Sequence, residues 1–226
     1  MNCEGLFIKL NLKFRDQKFL ETAFTHRSYL NEVKGSGPSN ERMEFLGDSI
    51  LSFIISTYLY NVRPNDPEGD LTNLRSFIVK TESLARVARN LNLGSYLKLS
   101  KGEELSGGRK NTQLLANTFE ALLGAIFLDQ GLEAVKKVLN HILIPEVEEE
   151  IEKGPPKDSK SYLQEIVQNK EKKSPFYKIL KTTGPDHAKR FTVGVFVDRK
   201  KVGEGSGSSK QEAEEEAARE ALRKFI

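Results

Sequence analysis

The chain has 226 residues, 38% of them hydrophobic, and a formal net charge of +3, so it can hold one large core or two smaller ones. Its single cysteine, Cys3, excludes an intrachain disulfide and suits a reducing compartment. Apolar runs fall short of a membrane span and the first five residues lack the basic-then-apolar order of a secretory signal, so a soluble, cytoplasmic protein with no membrane partner is expected.

The charge is unevenly spread. Residues 1–153 carry 19 Lys and Arg against 21 Asp and Glu, whereas residues 154–226 carry 16 against 11. Two domains are expected, with capture of a polyanion concentrated in the smaller, basic one.

From Gln17 to Glu152 the apolar spacing is helical almost throughout. It predicts helices over 17–31, 40–60, 70–79, 82–92, 111–129, 132–143 and 145–152, with stops at Gly94, Gly131 and Pro145. Ser39 is the expected N-cap of the second helix, and Glu68-Gly69-Asp70 ahead of Leu71 can serve simply as the entry to the third, with Asp70 as cap. Residues 100–111, with Gly102, Gly107 and Gly108 among Lys101, Arg109 and Lys110, read as an exposed basic loop able to touch phosphate or simply to cover the surface.

Two of these helices carry chemistry. On the helix over 40–60, Glu41, Glu44 and Asp48 project within roughly 60° of one another. Acidic residues at such spacing usually form a solvated face. Here the stripe is crowded by Met43, Phe45, Leu46, Ile50 and Leu51, and a buried carboxylate without a partner costs several kcal/mol, roughly. A divalent cation would remove that cost. Gly47 is a poor helix-interior residue that makes sense where another backbone approaches closely. Downstream, Asn117 and Glu120 share a face in the otherwise apolar run 114–128.

Residues 153–158, Lys-Gly-Pro-Pro-Lys-Asp, read as a linker because the proline pair forbids helix continuation. A helix over 159–169 follows, then strands over 176–183 and 190–197, a turn at 198–200 and a short strand around Val202. Ser209 caps a last helix from Lys210 onward, with Ala213, Ala217, Ala218, Ala221 and Leu222 on its inner face.

The run from Asn40 to Ser52 resembles the signature of the ribonuclease III family, endonucleases that cut double-stranded RNA. Residues 116–131 resemble that family's second metal-binding helix, Thr25–Tyr29 its first helix, Pro67–Leu71 its acidic loop, and residues 157–226 its double-stranded-RNA-binding domain. A motif of this length matched in several places is a specific signal. The resemblance implies an all-α endonuclease domain over 1–153, a linker over 154–158, and a small α+β domain of order α-β-β-β-α over 159–226.

The resemblance also assigns roles. Glu44, Asp48, Asn117 and Glu120 would hold the metal, with Asp48 and Glu120 most intimately tied to hydrolysis and Glu41 and Glu68 as supporting acids. These are oxygen donors only, the set that selects Mg²⁺, with Mn²⁺ able to substitute. His26, His141 and His187 form no zinc-type spacing. In the second domain Gln164 would meet one minor groove, His187 the next, and Lys210 the phosphates between. Two positions depart from the common pattern: Asn117 stands where many members carry Asp, and Lys210-Gln211 replaces a basic pair.

What the resemblance implies overall is a homodimer in which each subunit cuts one strand, leaving 5′-phosphates and short 3′ overhangs on ribosomal and other structured precursors, messenger RNA included. Two rivals remain. One is a non-catalytic double-stranded-RNA-binding relative with a weakened metal site, favoured by Asn117. The other is a different metal-dependent phosphohydrolase on a helical bundle, disfavoured by the lack of a His-Asp doublet among the helices and by the appended basic domain.

Overall fold

The computed structural model describes residues 3–33, 35, 37–154, 159–185 and 189–225. The chain divides into two compact units, Met1–Pro155 and Pro156–Ile226. Of the expected linker 154–158, only Gly154 lies among the described residues, and His187 lies outside them.

The first unit is helical: α1 (Glu4–Leu10), α2 (Gln17–Ala23), α3 (Arg27–Leu30), α4 (Glu41–Val62), α5 (Glu68–Ile78), α6 (Thr81–Asn90), α7 (Lys101–Leu105), α8 (Thr112–Gln130), α9 (Leu132–Ile142) and α10 (Ile144–Lys153). Its centre is the crossing of α4 and α8. Leu51, Ile55 and Leu59 from α4 meet Phe119, Leu122, Leu123 and Ile126 from α8 in a core with no solvent access beyond 1% at any of these side chains. The two backbones touch because both helices carry glycine at the crossing. A β-carbon on Gly47 would lie 1.8 Å from the Glu120 carbonyl oxygen, and one on Gly124 would lie 2.2 Å from that of Met43.

Several boundaries differ from expectation for identifiable reasons. The helix expected over 17–31 is broken, because His26 N–H donates to the Lys98 carbonyl at 3.1 Å and Lys98 N–H to the Phe24 carbonyl at 2.8 Å. Thr25 thereby pairs with Lys98 in an isolated parallel bridge. α1 was not anticipated; it is held by burial of Leu6 and Leu10. Asn40, not Ser39, is the residue before α4, and the Ser39 hydroxyl donates instead to Glu41. Pro67 precedes α5, so Asp70 sits inside the first turn rather than capping it. Pro145 stands in the first turn of α10, as its fixed φ favours and as the helix expected over 145–152 requires.

The expected basic loop over 100–111 is ordered as α7, capped by Ser100, followed by a 3-10 turn at Gly108–Lys110. Its Arg109 guanidinium is spent internally, donating to the carbonyls of Gly94 and Leu97 at 2.9 and 2.8 Å and to Glu104 at 2.7 Å. Apolar length in α4 exceeds what the sequence leads one to expect. α4 has 22 residues and a window of mean hydropathy 1.2, long and apolar enough by composition to cross a membrane, yet only 28% of that window is buried. Phe45, Phe53 and Tyr60 face outward from it.

The second unit runs α11 (Ser159–Glu171), β1 (Phe176–Thr183), β2 (Arg190–Val197), β3 (Lys200–Gly207) and α12 (Lys210–Phe225). The strands form an antiparallel sheet in the order β1-β2-β3. Alternation along β2 turns Val193, Val195 and Val197 inward, and Leu163, Val167, Ala217, Ala218, Ala221 and Leu222 complete the core. The β2–β3 turn takes Asp198 and Arg199 at φ 48° and 66°, the handedness a two-residue hairpin requires. β3 is a full eight-residue strand rather than a short one. Its Gly205 lets α12 lie on the sheet, since a β-carbon there would meet the Ala217 nitrogen at 2.2 Å.

Candidate metal centre and nucleic-acid interface

The α4–α8 crossing brings the acidic stripe against the polar pair of the second helix. Glu44, Asn117 and Glu120 are half-buried there and Asp48 is exposed. Burial pushes the Glu120 carboxyl up to about 7, and the charges of Asp48 and then Glu44 add to it. Glu44 is also raised, first by burial and then by Glu41 and Asp48, while a hydrogen-bonding contact from Asn117 acts the other way. Two half-buried carboxyls, each raised by burial and by neighbouring acidic groups, make a place where positive charge is favoured.

Among the described residues, no three acidic, histidine or cysteine side chains already close on a common point. The donor chemistry nevertheless fits a hard divalent cation: three carboxylates and one amide, on two rigid helices, with acidic neighbours raising Glu44 and Glu120. Glu41 lies a turn earlier on α4, paired with Arg27 at 3.6 Å and accepting from Ser39.

Glu68 is not drawn into this cluster by the chain's own fold. It opens α5, exposed, and accepts the Thr72 hydroxyl at 2.9 Å.

Beside the acidic cluster lies a cleft of about 410 Å³ lined by His26, Arg27, Asn40, Glu41, Glu44, Gln113, Leu114 and Asn117. His26 caps α3 through Nδ1, which lies 2.8 Å from the Ser28 hydroxyl, and burial lowers its pKa, so it is a neutral wall of this cleft. Gln113 was not singled out from the sequence. Its Nε2 donates to the Asn117 Oδ1 at 2.7 Å, and the signal available was its place one turn before Asn117.

In the second unit a groove of about 690 Å³ runs between α11 and the start of α12, lined by Lys160, Gln164, Tyr177, Ser209 and Gln211 among others. Gln164 therefore faces the beginning of α12, where Lys210 is the exposed first residue. The Ser209 hydroxyl accepts from the Glu212 N–H at 3.1 Å, the expected cap. Glu212 is itself held below the usual carboxylate range by hydrogen bonds from the Ser208 hydroxyl and N–H.

Residues 16–147 match the Ribonuclease-III-like family and residues 159–225 match the double-stranded RNA binding motif. Fold and matches together define a nuclease of double-stranded RNA, built as a helical catalytic unit followed by an RNA-binding unit. Ribonuclease 3 of Streptococcus equi subsp. zooepidemicus is 49% identical over 214 residues, covering 94% of this chain and 92% of that one. Ribonuclease 3 of Streptococcus gordonii is 48% identical over 224 residues, covering 97% and 94%. The solved nuclease domain of ribonuclease III from Campylobacter jejuni superposes with a TM-score of 0.60 at 36% identity, covering 64% of this chain and 98% of that one. The chain belongs to the ribonuclease III family and is an endoribonuclease.

Proposed function

We propose that the chain hydrolyses double-stranded RNA with Mg²⁺ held by Glu44, Asp48, Asn117 and Glu120, Mn²⁺ being able to substitute. The observation that carries this is the uncompensated carboxylate cluster on α4 and α8, with Glu120 pushed to about 7 by burial beside Asp48 and Glu44. When bound, the ion would neutralise developing charge on the phosphoryl and leaving oxygens and lower the pKa of the attacking water. Asp48 and Glu120 are assigned the roles closest to the reacting phosphate. Glu44, which lines the same cleft as Asn117, is a further donor. Glu41 is assigned a supporting role through its pairing with Arg27. Glu68 is assigned to the RNA or to a second ion rather than to this cluster.

RNA capture belongs to the second unit. Gln164 on α11 is assigned to one minor groove and Lys210, at the positive end of the α12 dipole, to the phosphates between grooves. His187, outside the described residues, keeps the assignment the family resemblance gives it.

The working form is taken to be a homodimer. One carboxylate cluster can cut one strand at a time, and α4 leaves Phe45, Phe53 and Tyr60 exposed at 78%, 55% and 72% along one side. Beside Phe45 is a cleft of about 630 Å³ with Pro38, Met43, Leu46 and Leu128 in its wall, shaped for an apolar insert. Glu41, Glu44 and Asp48 on the same helix make a lipid environment costly, which favours a second copy as the occupant. The Campylobacter jejuni nuclease domain is described as having a region involved in dimer formation. Two offset cuts would leave 5′-phosphates and short 3′ overhangs on ribosomal and other structured precursors in the cytoplasm.

The test is cleavage of a long duplex RNA in Mg²⁺, set against chelator and against single-stranded RNA of the same length. Cutting that needs both duplex and metal is expected. Undiminished cutting in chelator would overturn the metal assignment.

A further inference from the structure

α11 and α12 cover one face of the β1-β2-β3 sheet, where Leu163, Val167, Val195, Val197, Ala217 and Ala221 form the core of the second unit. The opposite face is open. Along β2 the residues that alternate with the buried valines, Thr192, Gly194 and Phe196, belong to it. Phe176 pairs with Phe196 across the strands, and their rings stack at 5.3 Å between centroids and 14° between planes. Beside them Leu180 lies over Gly194: a β-carbon on that glycine would fall 3.0 Å from both Leu180 Cδ1 and Phe196 Cε2. Phe176 is 48% exposed and Leu180 42%, so this apolar strip faces outward rather than into a core.

The same face is basic. Lys178 stands opposite Gly194 and Lys181 opposite Thr192, both exposed and, among the described residues, joined in no ion pair. Glu204, opposite Gly194 from β3, is already paired with Lys201 at 2.7 Å. Exposed rings beside unpaired lysines complement a ligand with flat faces and regularly spaced negative charge, which is the chemistry of an unpaired nucleic-acid strand. We propose that the open face of the β1-β2-β3 sheet binds unpaired RNA, with bases stacking on the Phe176–Phe196 ring pair and phosphates running past Lys178 and Lys181. A duplex keeps its base faces inside its own stack and would leave the rings unused. A second copy of this face would set lysine against lysine.

This surface lies across the sheet from α11 and α12, to which duplex capture is assigned, so a duplex and an unpaired strand do not compete for it. It is also independent of the metal centre. An RNA with an unpaired loop or flank thereby meets two surfaces of one unit. Every base has a π-face, so stacking here carries little sequence preference.

The experiment titrates the full chain, in chelator so that no RNA is cut, into an end-labelled oligouridylate of about ten nucleotides carrying one 2-aminopurine base. Anisotropy reads binding, and quenching of 2-aminopurine reads stacking. The parent should bind with quenching, and saturating blunt duplex should not displace the strand. Phe176→Leu keeps an apolar side chain but removes the ring; it should melt with the parent, bind duplex as the parent does, and lose the quenching together with about fivefold or more in single-strand affinity. Phe176→Tyr should retain both. Replacing Lys178 and Lys181 together by Ala should reduce the slope of log affinity against log salt by about 1.4, the value for two phosphates of a single strand. The proposal is overturned by absence of binding, by binding without quenching, by displacement with blunt duplex, or by a Phe176→Leu protein that binds the strand like the parent. Self-association of the parent by light scattering that Phe176→Leu abolishes would give the face to a second copy, and would overturn it equally.

Discussion

A β-carbon on Gly47 would fall 1.8 Å from the carbonyl oxygen of Glu120, so the width of the carboxylate cluster is set by how closely α4 can approach α8 at this residue. Glu44 and Asp48 flank Gly47 on one helix, and Asn117 and Glu120 face them from the other. Backbone contact thus fixes the frame on which the donors are mounted.

Gly47→Ala should therefore damage stability and chemistry together. The clash is with backbone, which cannot swing aside, and overpacking of this kind costs about 1–3 kcal/mol or more. Gly69, in the first turn of α5 with no atom near the position of a β-carbon, is the control. Gly69→Ala should be neutral or stabilising by up to about 1 kcal/mol. Urea denaturation of both variants reads the difference, and equal midpoints would contradict the close-contact account.

Glu120→Gln should abolish cleavage and leave duplex binding intact, because it removes a charge from a cluster already short of one at Asn117. In chelator it should also stabilise the protein above neutral pH. The folded-state value of about 7 lies above the ordinary 4.5, so the folded protein binds the extra proton between those values. Parental stability then falls as pH rises through that window and levels off above it. Thermal melts in chelator at about pH 8 and about pH 5 should show the variant ahead at the higher pH and level with the parent at the lower. A gap that grows toward acid would have the wrong sign.

Most of this site was legible in the sequence because its residues sit on long, strongly periodic helices. The spacing of Glu41, Glu44 and Asp48 and the oddity of Gly47 inside an apolar helix were enough to anticipate a close crossing. What was not legible depended on tertiary partners. The Phe24–Lys98 backbone bonds that break the first expected helix join residues far apart in the chain. The basic loop holding Arg109 reads from the sequence either as a phosphate contact or as plain surface cover, and neither reading anticipates a guanidinium bound to the carbonyls of Gly94 and Leu97. Gln113 joins the site only by its hydrogen bond to Asn117, and periodicity does not distinguish such a residue from a solvated neighbour.

Asn117→Asp should lower the Mg²⁺ concentration for half-maximal cleavage. The substitution restores a full charge beside Glu44 and Glu120 with almost no change of shape. In a half-buried site this should exceed the roughly 0–1 kcal/mol of a surface ion pair, and about 1.4 kcal/mol corresponds to tenfold. Titrations of parent and variant on one duplex at fixed salt make the comparison. Superimposable curves would mean that position 117 does not touch the ion.

Phe45→Asp should separate the proposed dimer without unfolding the nuclease unit, because the side chain is 78% exposed in the single chain and its loss empties no core. The fragment 1–153, which holds its own core, should likewise fold without the second unit and remain dimeric. Light scattering should give a monomer for Phe45→Asp and a dimer for the parental fragment. A dimeric Phe45→Asp protein would place the interface elsewhere, and an aggregated fragment would count against two independently folding units.

Lys210→Ala should weaken duplex RNA binding alike across sequences and reduce the slope of log affinity against log salt by about one, the signature of a lost phosphate contact. The reverse change is more informative. Gln211 stands where the family pattern often has a second basic residue, and the next residue, Glu212, is held as an anion by Ser208. The start of α12 therefore offers one lysine and a helix dipole opposed by a nearby carboxylate. Gln211→Lys should raise affinity and steepen the salt slope by about one, while single-turnover cleavage at saturating enzyme stays unchanged because that step belongs to the other unit. Filter binding of one duplex at several salt concentrations supplies both slopes. If neither substitution alters the slope, the start of α12 does not meet RNA phosphate, and the basic character of the second unit must act through other residues.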